Sequence, residues 1–366
     1  MNETNELDES NAIRVIGGVD THKDVHVAAL IDEAGRLLGT ASFDATPSGY
    51  RRMYSWFSSR GEILAVGIEG TGSWGAGLSR CLRTRGVNVI EVNRVNRQVR
   101  RRKGKSDTVD AEAAARAVLS GDAVVVPKSG DGPIESIRQL RVARTGAMKA
   151  RTAAANQLHS LTDTAPEQLR QRLRTGTTLM RARACARLRA GDLMTPTGAA
   201  KTALASVGRR WVELDLEIRA LDKAIKLILD QIAGPLLARH GVGYETAGAL
   251  LIAAGDNPDR IHSEAGYAAL CGASPVEISS GKTNRHRLNR AGDRQANSAL
   301  WTIVMTRIAA KHPPTITYIE RRTNDGLSKR DAIRCLKRYV ARQIFNDIQA
   351  IATANALGVQ PLRNAA

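Results

Sequence analysis

Ile13-Arg14-Val15-Ile16-Gly17-Gly18-Val19-Asp20 is an apolar run that ends on a carboxylate, and Val25, Val27, Ala29 and Ile31 follow in alternation. The first run reads as a largely buried strand and the second as a half-buried one. Glu33-Ala34-Gly35-Arg36 supplies a turn into a third strand, about residues 36–43, which completes a meander. Pro47 then starts a helix with Tyr50, Met53, Trp56 and Phe57 on its buried side. The next apolar run, Ile63 to Ile68, delivers Glu69 at its carboxyl end. A helix over about 74–85 and a strand over 87–92 follow.

Three meandering strands, then helix, strand, helix, strand, helix, is the order of an RNase H-like α/β sheet. Strands one and four lie side by side in that sheet, so Asp20 and Glu69 meet at neighbouring strand ends. Lys105-Ser-Asp107-Thr-Val-Asp110-Ala-Glu112 opens the last helix of the series, and the three-residue spacing puts Asp107 and Asp110 on one face. Phosphodiester-cutting sites collect carboxylates from several elements to bridge two metals, and these four acids form such a set. The plainer reading of Asp107 and Asp110 is that acids in a first turn offset the helix dipole.

The chain of 366 residues has a formal charge of +18, which favours a polyanionic partner over a neutral metabolite. Aromatic residues make up 4%, so backbone phosphates are a better grip than stacked bases. Cys81, Cys185, Cys271 and Cys335 show no C-x-x-C pair, which argues against a zinc knuckle or a disulfide framework and fits a reducing cytosol. No apolar run approaches the roughly 20 residues of a membrane span. The acidic start, residues 1–12, is expected to be disordered and lacks the pattern of a signal peptide.

Two motifs mislead. Gly70-Thr-Gly72-Ser-Trp-Gly75 matches a dinucleotide-binding loop, with Glu91 near the place of a ribose-binding acid, but that loop belongs after the first strand of its fold. Gly281-Lys282-Thr283 suggests a phosphate-binding loop, yet Val276 stands where its first glycine is required. Between Val92 and Asp107 the only charges are Arg94, Arg97, Arg100, Arg101, Arg102, Lys103 and Lys105. Beside a candidate metal site this run reads as a phosphate track.

Asp131-Gly132-Pro133 marks a domain junction. Ile137, Leu140, Ala147, Ala154, Leu158 and Leu161 then keep coiled-coil spacing, interrupted by Arg144 and Arg151. Trp211, Leu214, Ile218, Leu221, Ile225, Ile228 and Ile232 continue it in unbroken steps of three and four. The two segments form an antiparallel hairpin in one chain, or the second pairs with another protomer. Twelve Lys or Arg against Asp163 and Glu167 lie between Arg138 and Arg189, so the outer face suits DNA or RNA.

Further on, Gly241-Val-Gly243-Tyr-Glu-Thr-Ala247 is either the turn of a helix-hairpin-helix or a simple αα turn. Helices are expected over 262–271, 292–311, with Leu300, Trp301, Val304 and Ile308 inward, and 328–351. Ser279-Ser280-Gly281-Lys282 is ringed by Arg285, His286, Arg287, Arg290 and Arg294. Read from the residues alone, the serine anchors a phosphate or attacks one, and anchoring is the plainer role. His22 and His26 are expected on the strand surface.

Val19-Asp-Thr-His-Lys-Asp24, Gly67-Ile-Glu-Gly-Thr-Gly72, the Lys105 element, the Gly241 turn and the Ser279-Ser-Gly281 loop together resemble the IS110-type insertion-sequence transposases, DEDD recombinases guided by a bridge RNA. The resemblance implies a RuvC-like tetrad of Asp20, Glu69, Asp107 and Asp110 holding Mg2+, as two ions with Mn2+ as a substitute. It also implies that Ser280 is the nucleophile that joins to DNA, with Ser279 beside it. Lys282, Arg285 and Arg287, with the Arg97–Lys105 run, are the expected nucleic-acid contacts.

The expected architecture is an RNase H-like catalytic domain over 13–130, a helical coiled-coil region over 131–235 and a mainly α-helical domain over 236–366 that carries the serine loop. The expected function is strand cleavage and rejoining for a mobile element, through a serine-linked intermediate on donor and target DNA. Expected partners are an element-encoded RNA and further copies of the chain, as a dimer or tetramer, in the cytoplasm at the nucleoid. The alternatives are a DNA invertase, a junction-resolving nuclease that uses water, and a non-catalytic nucleic-acid-binding protein.

Overall fold

The computed structural model describes residues 13–93, 106–174, 176–281 and 286–356. The acidic start, the Arg97–Lys105 track, Lys282 and Arg285 lie outside the described residues. The chain divides into two compact units between Gly130 and Asp131.

The first unit is a five-stranded mixed sheet with helices on both faces. Strands β1 (Arg14–Thr21), β2 (Val25–Asp32) and β3 (Leu37–Asp44) run antiparallel in sequence, and β4 (Glu62–Glu69) and β5 (Val89–Val92) add in parallel on the other side of β1. The order β3-β2-β1-β4-β5 is RNase H-like, and its antiparallel meander rules out a dinucleotide-binding sheet. Helix α1 (Pro47–Ser58) starts where Thr46 Oγ1 accepts the N–H of Gly49 at 3.1 Å and Pro47 sets the first turn. With α2 (Ala76–Arg83) it covers one face, where Val15, Val19, Val66 and Ile68 pack on Met53, Phe57, Leu78 and Leu82.

Helix α3 (Asp107–Leu119) covers the opposite face, and glycines let it come close. Gly18 of β1 and Gly67 of β4 are paired in register. A Cβ on Gly18 would stand 2.1 Å from the Ala111 carbonyl oxygen, and one on Gly67 would stand 2.9 Å from that of Ala114. The facing side of α3 is correspondingly small: Ala111, Ala114 and Ala115 are all buried. Both faces of β2 are therefore covered, and its expected alternation of exposed residues is absent after Val25.

The second unit is mostly helical. Long helices α4 (Pro133–Asp163) and α7 (Pro196–Ile232) pack side by side within the chain, with α5 (Glu167–Leu173) and α6 (Thr178–Ala186) between them in sequence. Contacts step backwards along α7 as they advance along α4, from Arg144 with Asp222 to Arg151 with Asp215 to Gln157 with Arg210, so the pair is antiparallel. Arg144 and Arg151 do not break the seam, because each meets an acid on the facing helix, and Arg151 also lies over the Trp211 ring. The start of α4 is capped from far along the chain: the Asp256 carboxylate accepts N–H groups of Ile134 and Glu135 at 2.7 and 3.0 Å.

The remaining helices are α8 (Gly234–Leu237), α9 (Tyr244–Ala254), α10 (Glu264–Leu270), α11 (Arg294–Ala309), α12 (Pro313–Asn324) and α13 (Lys329–Ala356). They share one core with the near ends of α4 and α7, in which Tyr267 is wholly buried with its hydroxyl donated to the Leu250 carbonyl. Trp301 departs from expectation and lies 41% exposed. A two-stranded hairpin, β6 (Val276–Glu277) with β7 (His286–Arg287), carries the serine loop. Among the described residues, no helix is long and apolar enough to cross a membrane.

Candidate active site

The carboxyl edge of the sheet gathers the acids. Asp20 is the penultimate residue of β1 and Glu69 the last of β4, each one residue beyond the paired Val19 and Ile68. Alternation puts both side chains on the face that carries α3, the same face as Gly18 and Gly67. Thr21 ties the two strand ends together by donating its hydroxyl to the Glu69 carbonyl at 2.8 Å.

Ser106 caps α3, its Oγ accepting the N–H of Val109 at 3.3 Å, so Asp107 and Asp110 fall in the first turn. Because Ala111 and Ala115 lie on β1 at Gly18, that first turn is held against the strand end. Asp110 and Asp20 are buried, whereas Asp107 is exposed.

His22 completes the group. Its Nε2 lies 3.3 Å from an Asp20 oxygen and 3.5 Å from an Asp107 oxygen, and one donor atom from each of the three residues fits within a 4.8 Å cluster. These are electrostatic contacts without the alignment of hydrogen bonds: Nε2 is sealed from solvent and has no hydrogen-bond partner. Burial pushes the Asp20 carboxyl above its ordinary value; His22 opposes the rise, and Asp110 and Asp107 add to it. An unpartnered nitrogen aimed between carboxylates that repel one another is a donor set suited to a divalent cation.

His22 is half-exposed just past β1, in keeping with the surface reading, but its Nε2 turns inward to Asp20 and Asp107, which that reading does not foresee. The signal was available in Asp20-Thr21-His22, since residues two apart on extended backbone share a face. His26 does overturn the surface reading: it is buried and stacked on Tyr50, with ring centroids 5.6 Å apart.

The other expected residues lie in the second unit. Ser279 and Ser280 are exposed at the β6–β7 hairpin, and Arg287 in β7 is exposed beside a cleft lined by α12 and α13. The Gly241–Val242–Gly243 turn leads into α9, whose first turn is closed by reciprocal bonds between Thr246 and Gly243.

Residues 17–165 match the transposase family model DEDD_Tnp_IS110, and residues 235–320 match the transposase IS116/IS110/IS902 family. Together the two stretches cover more than half of the chain. The chain belongs to the IS110 family of transposases. The first match contains all four carboxylates and the whole of α4, and the second runs from α8 through the serine hairpin into α12. As an IS110-type transposase, the protein is an enzyme that acts on the DNA of a mobile element. No curated protein matches the chain.

Proposed function

We propose that this transposase cuts and rejoins DNA strands with divalent metal held by Asp20, Glu69, Asp107 and Asp110, and with Ser280 as the nucleophile. The observation that carries the reading is the group at the sheet edge, where His22 and three carboxylates from β1 and α3 converge. Bound metal of the Mg2+ class would polarise the phosphodiester and offset the charge that develops on it. Glu69 and Asp110 are the further oxygen donors, and His22 sets the outer wall beside Asp107.

In the proposed step the Ser280 hydroxyl attacks phosphorus and loses its proton. One phosphodiester bond breaks as the serine–phosphate bond forms, and the departing strand hydroxyl takes up a proton. The reverse step, with a different strand hydroxyl, rejoins DNA without an external energy source. The serine and the carboxylates belong to different compact units, and the reading includes assembly of several protomers on donor and target DNA. It also includes guidance by an element-encoded RNA, for which the exposed cations Lys149, Arg172, Arg174, Arg183, Arg187 and Arg189 offer contacts. Functionally the chain would divide into a catalytic unit to residue 130, a helical region to 235 and the serine-bearing remainder.

The test is covalent trapping. The protein is incubated with its element's junction DNA, RNA transcribed from the element's ends, and Mg2+. A denaturant-resistant protein–DNA adduct is expected, lost in Ser280→Ala and in chelator. Cleavage without an adduct would move the enzyme to hydrolysis by water, as in a junction-resolving nuclease.

A further inference from the structure

The serine hairpin is rooted in a tight neck. The N–H of Asp293 donates to the Leu270 carbonyl at 2.7 Å, and the Asn297 amide donates to the carbonyls of Cys271 and Gly272 at 2.8 and 2.9 Å. Gly272 and Gly292 approach so closely that a Cβ on Gly292 would stand 2.2 Å from the Gly272 nitrogen. Lys337 of α13 donates to the Asn297 side-chain oxygen at 2.6 Å and so joins the neck to the last helix.

Two clefts flank this neck, of about 650 and 430 Å³, and they share Gly272, Asn289 and Lys337. The larger is bounded by β7 of the serine hairpin on one side and by α12 and α13 on the other. Seven Lys or Arg side chains line it against a single carboxylate, Asp331. Among the described residues, Arg287 and Arg321 form no ion pair, and Arg321 lies over the Tyr318 ring at 5.5 Å. Tyr318 meets Tyr339 edge to face with centroids 5.4 Å apart, and Tyr339 remains 48% exposed. The smaller cleft presents the exposed Trp301. In a chain with so few aromatic residues, two exposed rings beside one loop are a local concentration.

We propose that these clefts hold an unpaired stretch of the DNA strand being joined, with its phosphates on Arg287 and Arg321 and its bases stacked on Tyr339 and Trp301. A volume of this order suits a ligand of nucleotide size. Guanidinium groups beside exposed aromatic faces are the combination that grips single strands without reading their sequence. Because β7 forms one wall, the occupant is the near neighbour of whatever reaches the serine loop. The choice of DNA therefore rests on the proposed serine chemistry.

The full-length protein, in chelator so that no strand is cut, is mixed with a five-nucleotide DNA carrying 5-iodo-2′-deoxyuridine and irradiated. The photo-adduct is expected on the α13 peptide containing Tyr339, lost in Tyr339→Ala and kept in Tyr339→Phe. Affinity should fall about 5- to 150-fold in Tyr339→Ala. Arg321→Gln, an exposed substitution that does not threaten folding, should reduce the salt slope of binding by about 0.7. Adducts confined to other segments, or unchanged affinity in both Tyr339→Ala and Arg321→Gln, would overturn the proposal. Equal labelling by a duplex would overturn the unpaired strand, and stronger labelling by the matching RNA would overturn the choice of DNA. Failure of the serine reading is separable, since it removes the trapped adduct in Mg2+ and leaves the photo-adduct in place.

Discussion

Gly18→Ala is the sharpest test of how the site is built. The added methyl would lie 2.1 Å from the Ala111 carbonyl oxygen, 2.3 Å from the Ala115 nitrogen and 2.9 Å from the Ala115 methyl. Two of these three are backbone atoms, which cannot rotate away. Restoring an ordinary contact of 3.4 Å requires α3 to retreat by more than an ångström. Overpacking of this kind costs about 1–3 kcal/mol. The same retreat moves Asp107 and Asp110 away from Asp20, and a misplacement of about 1 Å costs on the order of 100-fold in a positioned reaction.

The assay is twofold: denaturant unfolding of the metal-free protein, and the midpoint of thermal stabilisation by Mn2+ or Mg2+. Gly72→Ala is the control, because a Cβ there meets nothing within 4 Å. Gly18→Ala should lose stability and shift the metal midpoint upward, with the control unchanged. A Gly18→Ala protein with wild-type stability and midpoint would refute the idea that glycine sets the height of α3.

Three further outcomes are expected. In the metal-free protein the raised Asp20 carboxyl contributes stability that is present below its ordinary pKa and lost as pH rises through the folded value; Asp20→Asn should therefore stabilise that protein at neutral pH while abolishing the stabilisation by metal, both read by thermal melts. Burial holds His26 below its ordinary pKa, so its contribution is present above that value and lost as pH falls through the folded one; His26→Phe should flatten the decline in unfolding free energy on the acid side of pH 6.5. Asp256→Ala removes the acceptor for two N–H groups at the start of α4 and should cost about 1–2 kcal/mol in denaturant unfolding, with Asp256→Asn intermediate.

The sequence by itself determined much of the first unit. Apolar runs of strand length, the turn at Gly35 and the carboxylates at the ends of β1 and β4 fixed an RNase H-like order, because strand periodicity and turn chemistry are local properties. Asp107 and Asp110 were legible for the same reason, as acids three residues apart where a helix opens. The stripes of α4 and α7 announced two long helices but left open whether they pair within one chain or between two. Packing decided that, and it turned Arg144 and Arg151 from apparent interruptions into cross-helix ion pairs.

Only the tertiary structure decided the rest, because it depends on distances between residues far apart in the chain. Gly18 and Gly67 look like poor strand formers until α3 is seen resting on them. His22 is a half-exposed residue to which only the packing of α3 brings Asp107 as a second carboxylate neighbour. Tyr318 and Arg321 share a face of α12 while Tyr339 lies on α13, and no periodicity links them to the serine hairpin. Local rules place side chains on faces; which faces meet is set by the shapes that pack without voids or overlap.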